Sequence, residues 1–230
     1  FMQRVRVQLT RRYMMKETQI SRVVAFGDSQ TYGYFLTEDN NGYGTGPNTL
    51  AWPTVVANYY NVDAINNGVC GASNKEIWLE AINFNYQTGD IVCILWSFFD
   101  RDFFPTGDLR NSILGFDGHY EGTKVIPNYF NNKKNTLYYK EFHSNFNSFA
   151  SFSLYKSHLA LYLESMNIPY VFRNLEVSNI PKTSFEWDKT VCKGIDYVLD
   201  DYALDNSHYG LESHKTVAKD FIEVINEKTN

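Results

Sequence analysis

The sequence predicts an α/β domain built on a parallel sheet with helices on both faces. Three observations carry this prediction. Short apolar runs alternate with helical segments in the order strand, helix, strand, helix, as in successive βαβ units. The runs "RVVAF" at 22–26 and "DIVCILW" at 90–96 are continuous and β-branched, as strands buried on both faces are. The 230 residues, 43% hydrophobic and 20% charged, can supply one large domain with its own core.

The elements follow in order. After the strand at 22–26, "NTLAWPTVVANYY" at 48–60 has helical apolar spacing, with Pro53 tolerable near a first turn. "VDAIN" at 62–66 reads as a second strand and "NKEIWLEAINFN" at 74–85 as a helix, with Ile77, Ala81 and Phe84 marking its turns. The strand at 90–96 is the strongest in the chain. From about 100 to 146 the rhythm breaks into an Asn-, Tyr-, Phe- and Gly-rich insertion without clear periodicity, a length that usually marks a lid or binding loop. A helix then resumes, with Phe149, Phe152, Tyr155, Leu159, Tyr162 and Met166 as its inner stripe. "PYVFRN" at 169–174 is the next strand, a weaker one is indicated around 191–199, and a helix over about 209–227 turns Val217, Ala218, Phe221, Val224 and Ile225 inward.

Composition narrows the function classes. A net charge of −5 argues against general nucleic-acid binding. Residues 1–20 form a basic arm (Arg4, Arg6, Arg11, Arg12, Lys16), read as a solvated tail, a tag remnant or part of a neighbouring module. "RVRVQL" within it has the alternation of a short edge strand. No apolar run approaches a membrane span, and no secretory apolar core is visible. Cys70, Cys93 and Cys192 are an odd set without metal-ligand spacing, expected as buried, reduced thiols. No metal or cofactor is called for.

In open parallel sheets, active sites lie outside the carboxyl ends of the strands. "FGDSQTYG" puts Ser29 at such an end, and "DNSHYGLESH" near the other end of the chain puts Asp205 and His208 three residues apart. One turn can aim both side chains at the same point. If the last helix folds back beside the first strand, Ser29, His208 and Asp205 make a nucleophile, a base and its orienter. The plain alternative keeps Ser29 and Asp28 as helix caps, His208 as a surface residue and Asp205 as a turn residue.

These blocks resemble the GDSL, or SGNH, hydrolase family. "FGDSQTYG" is similar to its nucleophile block, "INNGVCGASN" at 65–74 to its second block, "GDIVCILW" to the lead into its third, and "DNSHYGLESH" to its terminal block. The resemblance spans about residues 21–225. It implies a three-layer α/β/α sandwich similar to flavodoxin, ester hydrolysis as the activity, and an oxyanion hole from the N–H groups of Ser29 and Gly68.

The third block departs from the family pattern Gly-x-Asn-Asp. Here Ser97-Phe98-Phe99-Asp100 places Phe99 where an asparagine amide should meet the oxyanion. Losing one such donor costs about 2.7–4 kcal/mol. The string "WSFFDR" is similar to a W-[S/T]-x-x-x-R pattern of bacteriophage tail-associated members. That likeness implies Ser97 as a substitute oxyanion donor and Arg101 as a loop organiser or substrate contact. The plain alternative ends a strand at Ser97 and pairs Arg101 with Asp100 or Asp102.

Two classes of function stand at this point. One is an esterase removing O-acetyl groups from a polysaccharide, with the aromatic and polar stretch "NYFNNKKNTLYY" at 128–139 binding sugar; a lipase or thioesterase is its variant. The other is a binding or structural module with weak or no catalysis. Virion partners or a homo-oligomer fit either one. Nucleotide binding is disfavoured, because "GDSQTYG" fits neither phosphate-binding glycine motif.

Overall fold

The computed structural model describes residues 20–38, 46–105, 122–126, 133–175 and 200–229. Among the described residues four parallel strands make the central sheet: β1 (Arg22–Gly27), β2 (Asp63–Gly68), β3 (Asp90–Trp96) and β6 (Tyr170–Asn174), in the order β2-β1-β3-β6. The chain first steps from β1 to β2 on one side, then crosses to β3 on the other. The crevice outside the carboxyl ends of β1 and β3 is therefore the topological switch point, where such folds place their ligands.

Alternation along each buried strand decides the layers. Val23 and Ala25 of β1, with Ile91, Cys93 and Leu95 of β3, face α2 (Trp52–Tyr60) and α6 (Leu211–Thr229). Val24 and Phe26, with Val92, Ile94 and Trp96, face α3 (Asn74–Asn83) and α5 (Asn145–Ser165). The result is the predicted three-layer α/β/α sandwich. Trp52 stacks on Phe221 with ring planes 4° apart, fastening α2 to α6 on one face. Arg22 grips the buried Asp90 carboxylate with two 2.7 Å bonds at the amino ends of β1 and β3.

Element boundaries moved modestly. The helix expected over 48–60 begins at Trp52, with Pro53 in its first turn, and the last helix runs from Leu211. Along α5, Leu163 is buried in place of Met166, which lies past the helix end and is exposed.

The insertion at 100–146 holds more order than its sequence shows. Its described residues contain an antiparallel hairpin, β4 (Asp102–Pro105) with β5 (Gly122–Val125), and a helix, α4 (Lys133–Glu141). Strands of four residues are too short to display a period, and "KKNTLYYKE" carries no continuous apolar stripe. Residues 133–139 of the stretch expected to bind sugar belong to α4; 128–132 lie outside the described residues, as do the arm at 1–19, the strand expected near 191–199 and Cys192.

Candidate active site

β1 ends at Gly27, and the four-residue helix α1 (Ser29–Tyr32) begins at once. Asp28 caps that helix: its Oδ1 accepts from the Gln30 N–H at 3.0 Å. The capping duty is thus taken, and the Ser29 hydroxyl is turned elsewhere. Its Oγ lies 3.0 Å from Nε2 of His208, across 179 residues of sequence. His208 Nδ1 lies 2.6 Å from Asp205 Oδ2. The other oxygen, Oδ1, accepts the N–H groups of Ser207 and His208, both at 3.0 Å, so the carboxylate is fixed by its own turn.

Burial alone would push the Asp205 carboxyl up, but the bonds from the His208 N–H and ring and the Ser207 N–H outweigh it and hold the pKa below the ordinary carboxylate value. An ionised Asp205 then keeps the proton on Nδ1 and leaves the Nε2 lone pair facing the hydroxyl. Tyr34 meets the His208 ring edge-on at 5.3 Å and walls it. The Tyr209 N–H donates to Gln30 Oε1 at 2.9 Å, tying the terminal block to α1.

His214, from the same block, does different work. Buried at the start of α6, its Nδ1 accepts the Trp52 N–H at 3.1 Å. Burial pushes its pKa down to about 4. It is a neutral helix-to-helix tie rather than a proton carrier.

Two expectations about the oxyanion hole need correction. The Gly68 N–H is spent on Asn66 Oδ1 at 2.9 Å, so it cannot also meet substrate. Gly68 is a glycine for a different reason: a Cβ there would stand 2.3 Å from the Tyr32 nitrogen, inside α1. The Ser97 hydroxyl donates to Asp28 Oδ2 at 2.8 Å and accepts from Arg101 Nη1 at 2.9 Å, which leaves it no proton for an oxyanion.

Arg101 is tied into the loop after β3. Its Nη1 also donates to Asp28 Oδ2 at 2.8 Å, and its guanidinium lies over the Phe98 ring. Its ion pair runs to the Asp28 carboxylate, beside Ser29. Its wider contact is with the cavity described below, which it lines.

The residue that sequence reasoning passed over is Gly71. The chain leaves β2 alongside β1, with the Val69 N–H on the Gly27 carbonyl at 3.0 Å, and then turns. Gly71 has φ of 72°, and its N–H meets no hydrogen-bond acceptor among the described residues. The Ser29 N–H, first in α1, meets none among the described residues either. The available signal was the second glycine of "NNGVCGASN", which invites a turn as much as the first. Asn74 was also missed: its Nδ2 holds the carbonyls of Ser97 and Phe98 at 3.0 and 3.3 Å, bracing the loop after β3.

A cavity of about 690 Å³, lined by Arg101 but by none of Ser29, His208 and Asp205, opens between the start of α3, the β4–β5 hairpin, α4 and the first turns of α5. Phe99, Phe104, Tyr138 and Tyr155 line it together with Lys75 and Asp102. Tyr138 donates its hydroxyl to Asp102 Oδ2 at 2.8 Å. Cys70 and Cys93 are buried free thiols, each pushed up to about 12 chiefly by burial. Among the described residues no cluster of three or more His, Cys, Asp or Glu could hold a metal ion, and no helix is long and apolar enough to cross a membrane.

By sequence, the chain matches no family model and no curated protein. Its fold has counterparts among solved structures. An acetyl xylan esterase from the rumen bacterium Butyrivibrio proteoclasticus aligns over 90% of this chain and 64% of its own, with a TM-score of 0.50 and 10% identity. A lipolytic protein of the G-D-S-L family from Desulfitobacterium hafniense DCB-2 aligns over 89% of this chain and 99% of its own, at 0.48 and 16%. A carbohydrate acetylesterase family member from Sinorhizobium meliloti aligns over 91% and 99%, at 0.47 and 12%. The chain therefore shares the α/β/α fold of the rumen esterase while spanning less than two thirds of that enzyme's length.

Proposed function

We propose that the protein is a serine esterase that works through Ser29, His208 and Asp205. The observation that carries this reading is the unbroken line from Ser29 Oγ to His208 Nε2 and from His208 Nδ1 to Asp205, at 3.0 and 2.6 Å. A cap or a surface histidine has no need of that alignment. Asp205 holds the imidazole in one tautomer. His208 takes the Ser29 proton as Oγ attacks the ester carbonyl, then passes it to the departing alcohol. The N–H groups of Ser29 and Gly71 meet the negative oxygen of the tetrahedral intermediate. Water, deprotonated by His208, releases the acid and restores the hydroxyl.

The proposed substrate is an O-acetylated carbohydrate. The cavity that Arg101 lines supports it, because aromatic rings offer faces to a sugar while Lys75 and Asp102 offer hydrogen bonds to hydroxyls. Through the string Trp96–Arg101 the proposal extends to an esterase carried on a phage particle, for which detection of the chain in purified virions is the test.

A second reading has one observation behind it. Phe99 stands where a donor is expected and Ser97 does not replace it, which favours a slow enzyme or a binding module. A fluorophosphonate probe separates the two, with Ser29→Ala as control. Labelling of the unsubstituted protein alone supports the esterase; no labelling of either overturns it. Acetylated oligosaccharides offered beside p-nitrophenyl esters of rising chain length then test the substrate. Preference for chains of eight carbons or more would defeat the carbohydrate reading.

A further inference from the structure

The peptide between Cys70 and Gly71 carries, at opposite ends, a carbonyl and the N–H assigned above to the oxyanion. All described peptide bonds are trans, so the two groups point in opposite directions. The Ala72 N–H bonds back to the Val69 carbonyl at 3.0 Å, which makes Val69–Ala72 a β-turn. With φ of 72° at Gly71, the third position, the turn is of type II. Type I and type II turns share their end residues and differ by a flip of the central peptide. Glycine is the one residue that adopts either form without steric penalty. Glycine at the third position favours type II but does not by itself lock the peptide in it.

Something outside the turn does. Lys124, on β5 of the insertion, donates from Nζ to the Cys70 carbonyl at 2.8 Å. The same ammonium lies 3.2 Å from Oε1 of Glu76, whose side chain is only 1% exposed. The hairpin also presses directly on the turn: a Cβ on Gly71 would meet Ile126 Cδ1 at 3.1 Å and Lys124 Cδ at 3.8 Å. The flipped, type I peptide would swing the Cys70 carbonyl off the ammonium, and a charge-assisted bond to a half-buried cation would be lost.

We infer that Lys124 is a positioning residue for ester hydrolysis: it holds the Cys70–Gly71 peptide in the orientation that aims the Gly71 N–H at the oxyanion. Glu76 in turn holds the ammonium in place. Donation into the Cys70 carbonyl also polarises the peptide and strengthens its N–H as a donor. The role falls on a chain whose third block lacks its asparagine, so that more of the oxyanion's stabilisation rests on backbone N–H groups. It gives the β4–β5 hairpin a second duty besides walling the cavity. The inference rests on the esterase reading for its catalytic consequence, though not for the geometry of the peptide.

Both parts can be tested in the full-length chain. Cys70–Gly71 is the one Cys–Gly pair in the sequence, so carbonyl-¹³C cysteine with ¹⁵N-glycine yields a single correlated amide signal for this peptide. Lys124→Met is expected to shift the Cys70 carbonyl away from its hydrogen-bonded position and to displace or broaden the Gly71 amide; an unchanged signal overturns the inference. With p-nitrophenyl acetate, the same variant should lose about tenfold or more in kcat with KM within about twofold, the signature of an interaction made in the transition state. Lys124→Arg should recover most of that loss.

Lys124→Met takes a cation away from the buried Glu76 carboxylate, so the double variant Glu76→Gln/Lys124→Met is measured beside it. The same loss of kcat in a double variant that melts like the parent supports positioning. A kcat within about twofold of the parent in that variant, or an arginine variant as slow as the methionine one, overturns it. A parent protein inert to both ester and fluorophosphonate would sink the esterase reading. The Gly71 signal would still decide whether Lys124 orients the peptide.

Discussion

Mild acid should destabilise this protein through one buried histidine that does not contact Ser29. His214 accepts the Trp52 N–H and is buried, and its pKa is pushed down to about 4 from the ordinary 6.5. The unfolded chain therefore binds a proton below pH 6.5 that the folded one refuses, so stability is complete above pH 6.5 and drains away as pH falls toward 4. At 1.36 kcal/mol per unit of pKa difference, the loss is about 2 kcal/mol at pH 5 and roughly 3 kcal/mol below pH 4. His214→Asn keeps an acceptor near the Trp52 N–H and removes the titration. Urea unfolding of both proteins between pH 7 and 5 isolates the effect, because Asp201 and Asp205, held below their ordinary values, titrate under that window. The parent should lose about 2 kcal/mol more than the variant over this range. Parallel curves would refute the claim that His214 is buried in neutral form.

Three further substitutions probe the site. Asp205→Asn leaves the turn in place but frees the imidazole to take the wrong tautomer, and kcat should fall on the order of 10⁴-fold in a steady-state ester assay. Arg101→Met leaves the buried Asp28 carboxylate without its cation; denaturant titration should show a loss of about 3 kcal/mol, with activity reduced even where the protein stays folded. Gly68→Ala drives a methyl into the Tyr32 nitrogen and should cost about 3 kcal/mol while displacing α1 and Ser29, seen as lost fluorophosphonate labelling.

The sandwich and the meeting of Ser29, His208 and Asp205 were readable because each leaves a strong local mark. Continuous β-branched runs announce β1 and β3, and the i, i+3 spacing of Asp205 and His208 survives any change in the packing around it. The oxyanion side was harder to read. Gly68 and Gly71 stand in one short block, and their roles differ only in where each N–H points, which Asn66 decides for the first and Lys124 for the second. Ser97 has a hydroxyl that looks available until Asp28 claims its proton. The hairpin partner of that region, β5, joins β4 across an interval of sequence without periodic pattern. Contacts of that kind are set by tertiary pairing, and composition carries no trace of them.

The Ser29–His208 contact closes a loop of 179 residues, nearly the whole chain. Every strand of the sheet must be in place before its two ends can meet, and loop closure of that length is entropically late. If the proposed esterase activity holds, turnover reports completed folding: a chain that ends after β6 would have its sheet and the α3–α5 layer and yet be inert. Refolding followed by activity should lag refolding followed by burial of Trp96, which packs against Phe152 of α5 and Phe172 of β6 and need not wait for the terminal block to dock.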